Sequence, residues 1–432
     1  MTVSKEKTGS VIRLFLTGCT VFFLITAIAA PDRSKIFSGL MSILMSPAQV
    51  TKDYFAVGSI SGNFLSIALL MGVFTAMMYL PGAVVKGSTV AAYFLTMGFS
   101  TWGINFLNIW PFILGVFIHA KVRKQPFANF VDMSMFATAL CPIASEMLLR
   151  YPGDQVRPIT ALAVVLYLVV GGAVGFLTPA LAAHSPNLHK GFNLYSAGMP
   201  AGFLGFFLVA LLYKTLGNNV PAIEAVLGEA QNAFAFTFCG IFFVACVVLG
   251  WFLNDKSFKG YVDLLKDPGL KADFTAKYGA GVSILNVGIY GLFITLYYVL
   301  VGASFNGVTV GTIFCMVCFA AAGAHPGNVW PIMVGYVVGS LFGVNAINAQ
   351  GIVAGVCFAS GLAPIAGVYG WLAGIVAGCA HYVLVTSVPA VHGGFCLYNG
   401  GFTSVVIALL LVPQLEMFFK TKAQRKEAKA AK

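Results

Sequence analysis

The chain has 432 residues, of which 59% are apolar and 9% charged, and 25 Lys and Arg against 14 Asp and Glu give a net charge of +11. A soluble domain carries about 25% charged residues and about 45–50% apolar ones, so this composition excludes a soluble enzyme. The nine Cys are spread thinly and no short repeat runs through the chain, which excludes disulfide-rich and collagen-like classes and leaves an all-α, multi-pass membrane protein.

Lys5, Lys7 and Arg13 lead an apolar run over 11–30. It resembles a signal peptide, but it is long enough to span and Pro31 follows it directly, so it reads as a retained first helix. Residues 37–53 read as an amphipathic, Pro-interrupted stretch at the membrane interface. Apolar segments follow at 56–80, 88–102, 105–120, 128–149, 158–182 and 192–213. The polar stretch 216–232, with Glu224 and Glu229, reads as an external linker. Residues 258–274 repeat the interfacial pattern. Seven further apolar segments cover 233–253, 280–303, 308–322, 327–344, 350–368, 370–388 and 395–418. Six basic residues crowd the tail 420–432, which reads as cytoplasmic and close to anionic headgroups rather than as a nucleic-acid arm.

The two sets are copies. Gly103, Asn108, Trp110, Pro111 and Gly115 recur at a constant offset of 220 as Gly323, Asn328, Trp330, Pro331 and Gly335. Gly87, Thr89 and Val90 recur at the same offset as Gly307, Thr309 and Val310. Phe37, Gly39 and Pro47 match Phe258, Gly260 and Pro268, and Phe136, Leu140, Pro142 and Ile143 match Phe358, Leu362, Pro364 and Ile365. Pro186, His189, Gly191, Phe192, Leu194, Tyr195 and Gly198 match Pro389, His392, Gly394, Phe395, Leu397, Tyr398 and Gly401. The organisation is therefore a first repeat over 1–215, a linker over 216–232, a second repeat over 233–419 and a basic tail. The third and fourth segments of each repeat are short: about 15 residues rise about 22 Å, less than the ~30 Å hydrocarbon core. They are tilted spans, broken helices or a re-entrant hairpin. In each case the repeat crosses an odd number of times, so two consecutive repeats point in opposite directions. With the N-terminus inside, 19 of the 25 Lys and Arg fall on the cytoplasmic side and six outside, with Arg150 and Arg157 as misfits. A parallel duplication with even crossings is the alternative.

Candidate chemistry lies in three places. Short, Gly-bounded segments at matching positions point to a midplane binding site. That makes Asn108, Trp110, Asn328, Trp330 and His325 substrate-binding candidates, with a folding role for the same block as the alternative. Asn193, Tyr195, Tyr398 and Asn399 open the last helix of each repeat, where free N–H groups favour an anion and where interfacial anchoring is the plainer reading. Glu146 and Asp132 lie in an apolar segment whose copy carries Val368 and Ala354, and His381 answers to Thr178. Such one-sided ionisable groups are coupling candidates. Their structural alternatives are hydrogen-bonded packing for His381 and pairing with Arg123 and Arg150 for the two carboxylates.

Nucleotide, metallopeptidase and serine-hydrolase motifs are absent, and no His or Cys stand at zinc spacing. No catalytic residue, metal or cofactor is expected, and nucleic acid is not a partner. The repeated blocks resemble a bacterial membrane family known as domain of unknown function 1576, in two tandem copies. The resemblance covers nearly the whole chain and implies a bacterial cell membrane but no activity. The seven-plus-seven pattern is similar to inverted-repeat anion and nucleobase transporters, by fold analogy alone. The expectation is a secondary transporter of a small polar solute, proton- or cation-coupled, with both termini cytoplasmic and membrane lipid around it. A channel or facilitator and, further off, an intramembrane lipid-acting enzyme are the alternatives. Substrate identity and a homo-oligomeric state stay open.

Overall fold

The computed structural model describes residues 5–50, 52–223 and 225–431; Glu224 of the linker and Lys432 of the tail lie outside the described residues. Among them there is no strand, and nine helices are long and apolar enough to cross a membrane. The protein is an all-α, multi-pass membrane protein.

Each half supplies seven principal elements. The first half has α1 (Lys5–Ala29), α2 (Ile60–Met77), α3 (Gly87–Phe99), α4 (Trp110–Val122), α5 (Phe127–Leu149), α6 (Ala161–Leu188) and α7 (Gly198–Thr215). The second has α8 (Asn232–Leu253), α9 (Phe274–Leu300), α10 (Gly307–Ala321), α11 (Pro326–Phe342), α12 (Gln350–Tyr369), α13 (Trp371–Val385) and α14 (Asn399–Phe418). The interfacial stretches hold the short helices Ile36–Leu44 and Tyr261–Leu264.

Local chemistry sets the breaks. Ser59, Thr160, Asp273 and Asn306 cap α2, α6, α9 and α10 with their own side chains. α5 and α12 each break into a 3₁₀ turn, at Ala137–Leu140 and Ser360–Leu362, just before Pro142 and Pro364. Proline lacks the N–H that would continue the ladder. Glycine lets neighbours touch without a hydrophobic driving force, which lipid does not provide. A Cβ on Gly115 of α4 would lie 2.1 Å from the Gly172 carbonyl oxygen of α6, and one on the equivalent Gly335 of α11 would lie 2.3 Å from that of Ile375 in α13.

The short helices α3 and α10 form the centre. They run antiparallel: Gly98 near the end of α3 meets Gly311 near the start of α10, while Gly87 at the start of α3 meets Ala321 at the end of α10. A Cβ on Gly98 would lie 2.5 Å from the Gly311 carbonyl oxygen, so the backbones are in direct contact. Equivalent residues of the two halves face each other here. Phe94 packs on Phe314 at 6.1 Å, and Gly198 of α7 abuts Gly401 of α14. Phe23, Phe64, Phe238 and Phe242 continue this aromatic core into α1, α2 and α8.

Each half caps the other's short helix. Asp53, fully buried, accepts from Gly307 N at 3.2 Å, Gly228 N at 3.0 Å and Phe55 N at 2.8 Å. Asp273 accepts from Gly87 N at 3.4 Å, as well as from Thr275 and Ala276 of its own helix. Burial raises the Asp53 carboxyl above its ordinary value, and the N–H groups of Phe55, Gly228, Gly307 and Ala56 work against that rise. A carboxylate at a helix N-terminus satisfies free donors and complements the dipole.

Removal of either cap is therefore destabilising, and unequally so. Asp53→Ala strands the buried N–H groups of Phe55 and Gly307 and the half-buried one of Gly228, whereas Asp273→Ala releases one long contact to the other half and two less buried contacts to Thr275 and Ala276 of its own helix. Thermal unfolding in detergent should show a larger loss for Asp53→Ala, several kcal/mol at roughly 1–3 kcal/mol per stranded buried group. Equal losses, or none, would contradict the exchanged caps.

Candidate functional site

Two cavities lie at opposite ends of the α3–α10 pair. The larger, about 400 Å³, sits by the start of α3 and the end of α10. The smaller, about 230 Å³, sits by Trp102 beyond the end of α3. Their walls are made of equivalent residues. Phe136, Ala182, Pro186, Leu194, Ser196 and Ala322 of the larger answer to Phe358, Val385, Pro389, Leu397, Asn399 and Trp102 of the smaller.

The loops that shape these walls are exchanged between halves. The loop before α7 donates Leu194 N to the Gly361 carbonyl in the break of α12 at 2.9 Å. The loop before α14 donates Leu397 N to the Ala139 carbonyl in the break of α5 at 3.0 Å. A broken helix exposes carbonyls that membrane burial obliges some donor to satisfy, and the other half supplies it.

An aromatic layer separates the cavities. Phe99 meets Tyr398 edge-on at 5.0 Å, and the equivalent Phe319 meets Tyr195 edge-on at 4.7 Å. Phe358 bridges the two pairs, 5.9 Å from Phe99 and 5.3 Å from Tyr195. Tyr195 is pinned by donating its hydroxyl to the Cys315 carbonyl at 2.6 Å.

Asn193, Tyr195 and Tyr398 line the larger cavity and Asn399 the smaller. Asn193 Oδ1 accepts from Tyr195 N at 3.0 Å, which fixes the amide orientation. His189 holds this loop: Nδ1 accepts from Asn193 N at 3.2 Å, so Nε2 carries the proton that faces Ser196 Oγ at 2.9 Å. Burial and the nearby Lys271 charge lower His189 to about 4, which keeps it in that neutral form. Asp132 stands behind the same cavity, half-buried, and accepts from the lining Ser88 Oγ at 2.6 Å.

The other sequence candidates lie elsewhere. Asn108 accepts from Asn105 N and donates to the Gly103 carbonyl and Ser145; Asn328 accepts from His325 N and donates to the Gly323 carbonyl. Each closes its own loop and lines neither cavity. Trp110 and Trp330 are 41% and 40% exposed on the outer surface, and Trp330 borders a shallow apolar groove. His325 is buried with Nε2 2.9 Å from the Asp267 carbonyl. His381 is buried between the Gly400 carbonyl at 2.9 Å and the Tyr336 hydroxyl at 2.5 Å, which together satisfy a neutral ring. Glu146 is held by the Arg150 guanidinium at 2.8 Å and receives the Tyr213 hydroxyl at 3.3 Å, all three buried. Among the described residues no three His, Cys, Asp or Glu converge as metal ligands.

Sequence reasoning passed over Lys271, the exchanged Asp53 and Asp273, and the aromatic layer. A signal existed for two of these. Phe99 and Phe319 sit at the common offset, as do Asp53 and Asp273. Lys271 has no such signal.

The chain belongs to the family described as protein of unknown function (DUF1576), which it matches in two regions, 32–214 and 253–417. No curated protein and no solved structure matches it.

The Glu146–Arg150 contact generates a stability prediction. Breaking a buried pair from one side costs about 3–5 kcal/mol, whereas replacing both charges by apolar groups is often close to neutral. Glu146→Gln should lower the unfolding midpoint markedly, and Glu146→Leu with Arg150→Met should recover most of it. A neutral effect of Glu146→Gln would remove the structural role.

Proposed function

We propose that this protein is a secondary transporter of a small polar solute, working by alternating access between the two cavities. The observation that carries the reading is their equivalence: two compartments of matched residues, one at each end of a central antiparallel helix pair, separated by a closed aromatic layer. A rigid-body exchange of roles between two such compartments is what inverted repeats make possible. The antiparallel run of α3 against its own copy α10 supports inverted topology. The basic-residue count supports cytoplasmic termini in a bacterial plasma membrane. Lys271 belongs to the basic loop over 254–278, so the larger cavity is assigned to the cytoplasmic side.

The coupling role falls to Asp132 rather than Glu146. Glu146 is neutralised by Arg150 and reaches neither cavity, while Asp132 touches the wall of the larger one through Ser88. Its repeat equivalent, Ala354, lines the smaller cavity and carries no charge. Proton binding at Asp132 thus acts on one side of the cycle only.

Single cysteines at the equivalent positions Ser196 and Asn399 test the proposal. A membrane-impermeant thiol reagent should label Ser196→Cys from the cytoplasmic side and Asn399→Cys from the outside. Lowering pH should shift the two rates in opposite directions, and Asp132→Asn should abolish that shift. Labelling of both sites from one side would sink the inverted arrangement. Labelling of each site from both sides would mark a continuous channel.

A further inference from the structure

The larger cavity carries polar groups that the protein itself leaves uncommitted. Asn193 is 2% exposed and lines it, yet its Nδ2 has no hydrogen-bond partner. The amide cannot be turned to relieve this, because Oδ1 already accepts from Tyr195 N. A buried amide N–H without a partner costs roughly 1–3 kcal/mol, and a site that hydrogen-bonds a ligand is one place where such a group persists. Lys271 lines the same cavity, and its side chain makes no ion pair or hydrogen bond among the described residues. Its position is built: its Cγ and Cε lie where a Cβ on Gly191 would be, at 2.6 and 2.8 Å, and Gly191 has φ +88. Gly191 therefore provides both the left-handed turn and the bare surface on which the Lys271 stem rests.

Three other polar side chains on the wall are already engaged. The Tyr195 hydroxyl donates to Cys315, Ser88 donates to Asp132, and Ser196 Oγ is held by His189. No Asp or Glu lines the cavity. Its free capacity is thus the Asn193 amide donor, the Tyr398 hydroxyl, which makes no hydrogen bond among the described residues, and one cation, with apolar walls including Met133, Phe136 and Phe319. The smaller cavity lacks both the amide and the cation, since the equivalent residues are Cys396 and Val50.

We propose that the larger cavity binds a small organic monocarboxylate, with its carboxylate on Asn193 Nδ2 and Lys271 Nζ and its hydrocarbon part against Met133, Phe136 and Phe319. An ionised acceptor makes the stronger class of hydrogen bond with such donors. A neutral amide can accept from the same donors but lacks the charge that strengthens the bond, and an organic amine is repelled by the cation. This assignment rests on the transporter reading for its role, but not for its chemistry.

The test is binding to the purified full-length protein in detergent, by isothermal calorimetry, with sodium salts of two- to six-carbon monocarboxylates as probes. Matching primary amides and alkylamines serve as controls. Carboxylates should bind, with an optimum above two carbons, amides about tenfold or more weakly, and amines not at all. Lys271→Gln, on an exposed side chain, and Asn193→Asp, which keeps the acceptor for Tyr195 N and replaces the donor, should each weaken binding about tenfold or more. Absence of carboxylate binding, equal binding of amides, or unchanged affinity in Lys271→Gln overturns the assignment. Proteoliposome uptake separates the two readings. Carboxylate binding with no uptake would sink transport and keep this site. Uptake of a neutral or cationic solute by protein that does not bind carboxylates would do the reverse.

Discussion

The structure depends on one constraint: within the membrane, every backbone polar group has to be satisfied by the protein. Two helices too short to cross, α3 and α10, bring their free N-termini and the broken carbonyls around them into the interior. At 13 residues, α3 rises about 20 Å against a ~30 Å core. Neither half satisfies all of its own breaks. Asp53 caps α10 and Asp273 faces the start of α3; Leu194 serves the break in α12 and Leu397 the break in α5. These four contacts run between halves in two reciprocal pairs. The halves fold as one body because the polar accounting closes only when both are present.

That exchange also explains why two cavities exist. A loop tethered at Leu194 to the opposite half leaves space between itself and α3, and its copy at Leu397 does the same at the other end. Symmetry makes the compartments alike; sequence divergence makes them different. The larger has Asn193, Lys271 and the neighbouring Asp132, where the smaller's equivalents are Cys396, Val50 and Ala354. Phe358 adds a further difference, because it stacks into the aromatic layer on both Phe99 and Tyr195, while Phe136 makes no such bridge. Phe358 belongs to the wall of the smaller cavity, so the same side chain that joins the layer also narrows that compartment.

The membrane class, the duplication, the short third segments and the proline breaks were legible in the sequence because each leaves a local mark: composition, offset, segment length, Pro142 with Pro364. The loop residues Asn193, Tyr195, Tyr398 and Asn399 could be singled out for their repetition, but not told apart from interfacial anchors. What was illegible is tertiary. Trp110 and Asn108 stand two residues apart in one repeated block, yet one faces outward and the other closes a buried loop. Lipid is as apolar as the protein interior, so hydrophobicity cannot say which way a tryptophan points. Glu146 reads equally as a coupling carboxylate or as a partner of Arg150 four residues on, and only the burial of both together decides for the pair. Lys271 gained its place only through Gly191, eighty residues away.

The central claim is that the two cavities open in alternation. Spin labels at the equivalent pairs Lys271 with Ala183, beside the larger cavity, and Val50 with Thr386, beside the smaller, allow pulsed electron–electron distance measurement in lipid nanodiscs. The account predicts two populations for each pair, with the longer distance in one pair accompanied by the shorter in the other as pH is changed. A single invariant distance in both pairs, or lengthening of both together, would contradict it.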